Sequence, residues 1–368
     1  MRVKFSYLKE QFSHPEPILK AIRALVRSGD FTIGKPLQEF EKKFAKVIKT
    51  RFAVGVGSGT DALFLSLKAL GIGVGDEVIT MPNTFIATVG AIVASGAKPV
   101  FVDCNEEYLI NPSLIEAAIT KKTKAIMPVH YAGHPADMKK IMAIARKYNL
   151  RVIEDSCQAV AATTDGRAIG SIGDTGGFSL HPLKNINVWA DGGVITTNSK
   201  EIYDKLILLR NHGMTNRDEY EIFGYNSRLD TIQAVVGNHL IKDVEKITKQ
   251  RIANARIYDQ ELSKLTAITI PPRRKNARYV YHLYIIQAKN RDQLLAYLNK
   301  NGIEAKVHYP IPLHLQNCAQ YLGYRIGDFP VAEKQAKNII TLPVHQHLTK
   351  QQICYVVDAI KAFYRLHK

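Results

Sequence analysis

The feature that most constrains the fold of this chain is an alternation of short, nearly all-apolar runs with helix-like segments over its first two-thirds. Runs of this kind are typical of strands that are buried on both faces, as in a mainly parallel sheet covered by helices. The predicted strands cover residues 52–56, 77–80, 99–103, 125–129 and 151–154, and the predicted helices cover residues 60–70, 84–94, 112–119 and 135–148. The pattern therefore predicts a large α/β domain.

The last third of the chain is organised differently. The predicted elements are a long helical stretch at 229–249 with a continuation or partner at 251–262, an alternating strand at 280–286, a helix at 291–301, a proline-rich loop at 308–314 and a final helix at 350–364. We place a domain boundary near residue 250. This gives a large domain over residues 1–250 and a smaller C-terminal α+β domain over residues 251–368.

Composition limits the classes of function. The chain has 368 residues, of which 46% are hydrophobic, so it is long enough for two domains. No apolar run is long enough for a membrane span, and the first residues lack a signal-peptide core, so the cytoplasm is the expected location. The four cysteines are scattered without metal spacing, which favours free thiols in a reducing compartment.

The net charge of +17 favours anionic partners. Because the basic residues are spread out and form no arm or zinc finger, a nucleotide-linked or phosphorylated small substrate is favoured over nucleic acid. His130 and His134 have the spacing of a helical zinc pair, but Gly133 and Pro135 place them in a loop without a glutamate between them. We therefore expect no metal site.

A lysine and an acid lie where the predicted sheet would gather a ligand. Lys184 follows a short strand-like run, and Asp155 ends the apolar run at 151–154, so both belong at the carboxyl edge of the sheet. Each residue alone could be an ordinary surface lysine or a strand-end cap. Together they suit pyridoxal 5′-phosphate (PLP), because a lysine forms a Schiff base with its aldehyde and a carboxylate keeps its pyridine nitrogen protonated.

The neighbouring segments fit the same cofactor. Residues 57–60 read Gly-Ser-Gly-Thr between a strand and a helix, which is suited to a phosphate cradle, although an ordinary Ser or Thr helix cap has the same pattern. Gln158 lies one helical turn after Asp155 and could reach the phenolic oxygen of PLP. Cys157 could pack against the ring or be a small buried hydrophobe, and it has no partner that would make it a nucleophile.

These segments together resemble the DegT/DnrJ/EryC1/StrS family of sugar aminotransferases, which are fold-type-I PLP enzymes. The matching motifs occur in order over essentially the whole chain, at residues 31–34, 57–63, 75–79, 128–130, 154–159, 173–174, 178–185, 224–228 and 308–310. The resemblance implies a fold-type-I PLP transferase, in which helices sandwich the mainly parallel sheet of a large domain and a smaller α+β domain follows.

The resemblance also implies a role for individual residues. Lys184 and Asp155 are the expected catalytic residues. The expected cofactor-binding residues are Gly59, Thr60, Phe85, Asp155, Cys157, Gln158, Ser179, Lys184 and Asn226. Among them Gly59, Thr60 and Ser179 match phosphate-binding positions, and Phe85 matches the aromatic residue that stacks on the ring. The segments that hold Arg228, His308 and Tyr309 line the substrate pocket in similar proteins.

Asn226 matches an asparagine that reaches the phosphate from the neighbouring subunit, which implies a homodimer with shared active sites. The chain departs from the family at two places. Residues 190–193 read Ala-Asp-Gly-Gly where the family often has Gly-Glu-Gly-Gly, and Cys157 replaces a small residue. Trp189, which precedes the first of these, is expected to add bulk near Lys184 and to reshape the pocket.

We therefore expect a ping-pong aminotransferase that moves an amino group, from L-glutamate by resemblance, through pyridoxamine 5′-phosphate to a nucleotide-linked keto sugar. Three alternatives stay open at this point. A PLP-dependent sugar dehydratase of the same family would carry histidine in place of Lys184. A cyclitol ketone could be the acceptor. A PLP-binding regulatory protein without turnover would lack an enzymatic role altogether, although no DNA-binding module is visible in the sequence.

Overall fold

The computed structural model describes residues 1–366. Its strands, in chain order, are β1 (Phe52–Val56), β2 (Glu77–Thr80), β3 (Lys98–Phe101), β4 (Thr123–Ile126), β5 (Arg151–Asp155), β6 (Thr163–Thr164), β7 (Arg167–Ala168), β8 (Thr175–Ser179), β9 (Gly193–Thr197), β10 (Ile268–Thr269), β11 (Ala277–Arg278), β12 (Tyr284–Ala288) and β13 (Ile339–Leu342). Its α-helices are α1 (Leu8–Gln11), α2 (Glu16–Ser28), α3 (Lys35–Ile48), α4 (Gly59–Ala69), α5 (Ile86–Ala94), α6 (Met138–Lys147), α7 (Lys200–Leu209), α8 (Thr231–Leu240), α9 (Val244–Leu262), α10 (Arg291–Lys300), α11 (Pro330–Asn338) and α12 (Lys350–Leu366).

Seven strands form the central sheet, in the order β1-β9-β8-β5-β4-β2-β3. Six of them run in one direction, and β9 is antiparallel to both of its neighbours, β1 and β8. The expectation of a mainly parallel sheet is therefore confirmed.

The strands of this sheet are mostly buried on both faces, in keeping with their largely apolar composition. In β5, Val152 belongs to the core cluster that includes Ile141 of α6, and the next residue, Ile153, belongs to the cluster that includes Leu63 of α4. Successive side chains of a strand point to opposite faces. Helices therefore cover the sheet on both sides, and its carboxyl edge stays open for loops.

The C-terminal part builds a second core around the antiparallel sheet β10-β12-β13. This core includes residues of α9, α10 and α12, and the N-terminal residue Val3 joins it. Val3 pairs with Ile303 in an isolated parallel bridge, and its N–H donates to the carbonyl of Gly302 at 2.9 Å. The first residues of the chain thus pack on its last third. Within residues 1–366 no helix is long and apolar enough to cross a membrane.

Two predicted helices differ from the structure. Residues 112–119 form two short 3₁₀ turns, Pro112–Leu114 and Glu116–Ala118, because Asn111 accepts the N–H of Ser113 at 3.1 Å and starts a tight turn there. The helix predicted at 229–249 is interrupted by the 3₁₀ turn Ile241–Asp243, after which α9 begins. The boundary placed near residue 250 falls within α9, and the division into two domains stays a prediction.

Candidate active site

The candidate active site lies at the carboxyl edge of the central sheet, where ligands gather in folds of this kind. Asp155 ends β5, Ser179 ends β8, and the N-termini of α4 and α5 face the same space. These groups enclose a cavity of about 340 Å³. Its lining consists of Ser58, Gly59, Thr60, Leu63, Thr84, Phe85, Ala87, Thr88, Asp155, Cys157, Gln158, Ser179, His181, Leu183, Lys184, Asp191, His282, Leu283, His308 and Tyr309.

Most of the site residues expected from the sequence meet in this cavity. They are Gly59, Thr60, Phe85, Asp155, Cys157, Gln158, Ser179, Lys184, His308 and Tyr309. Asn226 and Arg228 do not line it. Asn226 pairs with Asn211 in an isolated bridge, and the Nη1 of Arg228 donates to the Oδ1 of Asn211 at 3.0 Å. The catalytic, cofactor and substrate roles of all these residues stay predictions.

Lys184 lies in a turn that follows β8. Its N–H donates to the carbonyl of His181 at 2.8 Å, which closes the turn. Burial lowers the pKa of the Lys184 amine, while Cys157 and Asp155 act in the opposite direction. Because the burial effect prevails, the neutral amine is populated more readily than in water. A neutral lysine amine can act as a nucleophile toward a carbonyl or as a general base.

Asp155 is buried, and both of its carboxylate oxygens accept hydrogen bonds. Thr88 Oγ1 donates to Oδ2 at 2.7 Å, and the N–H of Cys157 donates to Oδ1 at 3.2 Å. Thr84 and Thr88 share a further bond of 2.9 Å between their hydroxyls. Since the single proton of the Thr88 hydroxyl is used on Asp155, Thr84 must be the donor in that bond. The sequence analysis missed this pair of threonines.

The start of α4 forms a narrow cradle beside Ser179. Ser58 caps the helix by accepting the N–H of Asp61 at 3.0 Å. A Cβ at Gly59 would lie 2.6 Å from the Cβ of Ser179 and 3.1 Å from the Sγ of Cys157, so only glycine leaves this space open. The N–H groups in the first turn of a helix lack intrahelical partners, and together with the helix dipole they suit a phosphate.

Gln158 and Cys157 extend the wall next to Asp155. The Oε1 of Gln158 accepts the N–H of Ala132 at 2.6 Å, which leaves its Nε2 as the donor available to a ligand. Burial, and then the charge of Asp155, raise the pKa of the Cys157 thiol well above its ordinary value. The thiol is therefore protonated at neutral pH, and it packs at the site without nucleophilic character.

His308 and Tyr309 line the cavity from the C-terminal part of the chain. Burial, followed by the charges of Lys306 and Lys184, lowers the pKa of His308 to about 4, so its ring is neutral at pH 7. Burial also raises the pKa of Tyr309, and the charge of Asp155 adds to that shift. The centroids of the Tyr309 and Phe85 rings lie 5.9 Å apart, and both rings line the cavity.

Trp189 does not have the position expected from the sequence. Its side chain lies outside the cavity lining and packs edge-on against Phe12, with the ring centroids 5.7 Å apart. Its N–H donates to the Oε1 of Gln233 at 3.0 Å, which fixes the backbone there. The neighbouring residue that does line the cavity is Asp191.

The residues of this cavity fit PLP. They supply an amine, a buried carboxylate at a strand end, a glycine cradle at a helix start and an aromatic ring in one space. Two separate features carry this fit. Gly59 has no room for a side chain. Asp155 is a buried carboxylate, and within residues 1–366 it forms no ion pair with a cationic side chain. A phosphate and a protonated pyridine would complement these two features.

Comparison with known proteins identifies the same chemistry. Residues 13–361 match the model of the DegT/DnrJ/EryC1/StrS aminotransferase family. The chain is 40% identical to the "Pleiotropic regulatory protein" of Geobacillus stearothermophilus, over 99% of both chains. It is 38% identical to the dTDP-3-amino-3,4,6-trideoxy-alpha-D-glucose transaminase of Streptomyces venezuelae, over 93% of this chain and 90% of that protein.

Solved structures agree with this match along the whole chain. A crystal structure of DesV from S. venezuelae, in complex with a ketimine intermediate, superimposes with a TM-score of 0.96 at 38% identity and covers 98% of both chains. The structure of ntda from Bacillus subtilis, with bound cofactor PMP, has a TM-score of 0.92 at 33% identity and covers 99% of this chain and 85% of that one.

Proposed function

Since this chain belongs to the DegT/DnrJ/EryC1/StrS aminotransferase family, we propose that it is a PLP-dependent aminotransferase whose acceptor is a nucleotide-linked keto sugar. The observation that carries the proposal is the meeting of Lys184, Asp155 and the Gly59 cradle in one cavity at the sheet edge. The fold brings them together from three separate segments.

Different residues of the cavity would bind different parts of the cofactor. Gly59, Thr60 and Ser179 would bind the phosphate at the start of α4, and Asp155 would pair with the pyridine nitrogen. Thr88 fixes the carboxylate of Asp155 by its 2.7 Å hydrogen bond. When bound, PLP supplies an aldehyde that takes up an amino group and a ring that accepts electrons from the reacting carbon.

Lys184 has two tasks in this proposal. Its amine would hold the cofactor before a substrate enters. Once free, its Nζ would take up and return the proton that each half-reaction has to move. The lowered pKa of this amine suits both tasks, because each of them needs the neutral form.

The two substrates would use the same cavity in turn, which makes the reaction ping-pong. L-Glutamate is the proposed donor, and the keto sugar then accepts the amino group. The net charge of +17 would attract a substrate that carries a diphosphate, with a strength that salt reduces. His308 and Tyr309, which line the cavity, are the proposed contacts of the sugar.

We also propose a homodimer in which Asn226 and Arg228 serve the neighbouring active site. Both residues lie outside the cavity of their own chain, and the same loop exposes Tyr220 and Phe223. Exposed aromatic residues in one loop are typical of a protein–protein interface. The proposed location is the cytoplasm, which agrees with the absence of disulfide bonds among all four cysteines.

One alternative is a regulatory protein that binds PLP without turnover. It is favoured by the name of the Geobacillus relative, which describes that protein as regulatory. The complete set of Lys184, Asp155 and the phosphate cradle favours turnover in this chain. A single turnover distinguishes the two functions, because a regulator would hold the cofactor without passing an amino group to any ketone.

The experiment starts from the purified protein with PLP. We expect glutamate to bleach the visible absorbance of the lysine-bound cofactor, and a panel of UDP- and dTDP-linked keto sugars to restore it with formation of an amino sugar, measured by mass spectrometry. Lys184→Ala should lose both the absorbance and the product while keeping its fold. Lys20→Ala, at an exposed position of α2, is the control and should behave as wild type. Wild-type turnover by Lys184→Ala would refute the proposal.

A further inference from the structure

Two side chains outside the cavity hold the main chain of Lys184. The hydroxyl of Tyr7 donates to the carbonyl oxygen of Lys184 at 2.8 Å and lies 3.2 Å from that of Leu183. The Nδ2 of Asn187 donates to the carbonyl oxygens of Lys184 at 3.1 Å and of Pro182 at 2.6 Å. The turn that carries the amine is therefore tied at its carbonyls by Tyr7 of the N-terminal segment and, locally, by Asn187, which lies three residues after Lys184.

Tyr7 is itself fixed by the C-terminal part of the chain. Its side chain is 2% exposed, and its ring lies 5.2 Å from the guanidinium carbon of Arg251 and 5.1 Å from the ring of His345. Arg251 is 1% exposed, and its Nη1 donates to the carbonyl oxygens of Tyr281 and His282 at 3.0 and 3.3 Å. A buried cation over an aromatic face stabilises that arrangement.

Asn187 is linked to the same arginine by a chain of amides. Its Oδ1 accepts from the Nε2 of Gln11 at 3.4 Å, and the Oε1 of Gln11 accepts from the Nε2 of Gln346 at 2.5 Å. The Oε1 of Gln346 accepts from the Nε of Arg251 at 2.9 Å. The lysine turn, the N-terminal segment and the C-terminal part of the chain thus share one polar network.

We propose that Tyr7 and Asn187 are positioning residues for Lys184: they clamp its carbonyl, so that a flexible side chain starts from a fixed point and reaches the cofactor aldehyde in the productive direction. The inference rests on the proposed role of Lys184 as the anchor of PLP. Neither residue lines the cavity, so both act through Lys184. Misplacement of a reacting group by about 1 Å is enough to slow a reaction by roughly two orders of magnitude.

The clamp also keeps the amine in its buried surroundings. The groups that face it are Asp155 and Cys157 from the sheet edge, and His282 and His308 from the C-terminal part. Burial is the leading cause of its lowered pKa. If the clamp is removed, the turn loosens and the amine reaches water more often, so its pKa rises toward the ordinary value.

The test compares Tyr7→Phe with Tyr258→Phe. Both substitutions remove one buried phenol hydroxyl that donates to a backbone carbonyl at 2.8 Å, but the acceptor of Tyr258 is Pro343, away from the lysine turn. The apo proteins are mixed with PLP, and capture by Lys184 is followed by absorbance and by mass spectrometry after borohydride reduction. We expect Tyr7→Phe to capture PLP about tenfold more slowly than wild type, and Tyr258→Phe to stay within about twofold.

The pH dependence of capture separates positioning from a general loss of stability. Capture needs the neutral amine, so its rate rises with pH through the pKa of Lys184. In Tyr7→Phe the midpoint of this rise should move to higher pH, whereas in Tyr258→Phe it should stay at the wild-type value even if the two variants unfold at the same lowered temperature. A wild-type rate and midpoint in Tyr7→Phe would overturn the proposal.

Asn187→Ala keeps the test decisive if Tyr7→Phe does not fold. It removes the second donor to the Lys184 carbonyl, and it should slow capture and raise the midpoint in the same way. Asn238→Ala is its control, since the Nδ2 of Asn238 donates to the carbonyl of Pro36 at 2.7 Å in another part of the fold. Unchanged capture by Asn187→Ala would refute the clamp. Failure of the wild type itself to capture PLP would instead refute the proposed function.

Discussion

At the scale of single residues, the hydrogen bonds of Asp155 explain why the proposed cofactor site needs a charged carboxylate at this position and not a neutral polar side chain. Its two oxygens already accept hydrogen bonds from Thr88 and from the N–H of Cys157. These bonds fix the direction of the carboxylate, and they come from neutral donors that leave its charge in place. A carboxylate held in this way is prepared to stabilise a cationic ring nitrogen, since little reorganisation is needed when the ligand binds.

Asp155→Asn tests this role of the charge. The amide has nearly the same size, and its oxygen can still accept the hydroxyl proton of Thr88. The N–H of Cys157 loses its acceptor, which should cost about 1–3 kcal/mol of stability and leave the protein folded. We expect a roughly 10²–10³-fold loss of kcat/KM, which is the range found when one preorganised electrostatic partner is removed. Asp204→Asn, at an exposed ion pair with Lys200, should stay within about twofold. Steady-state kinetics measure both, and an active Asp155→Asn would contradict the assignment.

The two residues that carry the proposed function could be predicted from the sequence, whereas their supports could not. Asp155 ends β5 and Lys184 lies in the turn after β8, and the motifs around both resemble those of one family. Thr88 belongs to an unremarkable helix start, and its contact with Asp155 spans 67 positions of the chain. Nothing in the local pattern marks which hydroxyl of a helix faces a carboxylate, because this depends on how α5 packs on the sheet.

At the scale of elements, the start of α4 is the part of the site with the least room. Gly59 is the first residue of the helix, and the cradle exists because no Cβ stands between this turn and Ser179. Gly90 lies within α5 and offers a matched comparison, since a Cβ there would meet nothing within 4 Å. The two glycines share the helical setting and differ in what surrounds them.

We therefore expect Gly59→Ala and Gly90→Ala to have opposite effects. Gly59→Ala should destabilise the protein by about 1–3 kcal/mol through overpacking, and it should weaken PLP binding because the new methyl group fills the cradle. Gly90→Ala should stabilise the protein by up to about 1 kcal/mol, because alanine is the better helix former. Urea unfolding and cofactor titration measure the two effects. Equal PLP affinity in the two variants would show that Gly59 does not form the phosphate site.

The elements in the first two-thirds of the chain were mostly predictable, and the failures have physical reasons. β1 and β2 have the predicted bounds, because strands that are buried on both faces have nearly continuous apolar sequences, which are easy to detect. The segment at 112–119 has helical composition, yet it is short and begins with a side-chain turn at Asn111. The strand predicted at 280–286 is found at Tyr284–Ala288, because the N–H groups of Val280 and Leu283 donate to the carbonyls of Gly133 and Ala132 in a loop and not to a neighbouring strand.

At the scale of the whole molecule, the site depends on contacts that no sequence pattern reveals. Tyr7 reaches the carbonyl of Lys184 across 177 positions, and Gln11 reaches Gln346 across 335. The N-terminal segment has no motif of its own, and its place is defined by contacts with the lysine turn and with the C-terminal part. The resemblance to a family predicts which residues perform the chemistry, while the way that they are held requires the three-dimensional structure.

The proposed sharing of sites between subunits is also a property of the whole molecule, and it gives a prediction about mixed dimers. Lys184→Ala and Asn226→Ala should each impair activity alone. In a mixed dimer, the Lys184 of one chain meets the Asn226 of the other, so one of the two sites is intact. Random mixing makes half of the dimers mixed, and about a quarter of the wild-type activity should return.

The control for this experiment is a pair of defects that lie in the same cavity. Lys184 and Asp155 line one cavity of a single chain. A dimer of Lys184→Ala and Asp155→Asn subunits therefore has one defect in each site, and mixing should restore nothing. Recovery of activity in this control would show that the cavity is not assembled as described. Full activity of Asn226→Ala alone, or no recovery when it is mixed with Lys184→Ala, would show that Asn226 does not serve the partner's site.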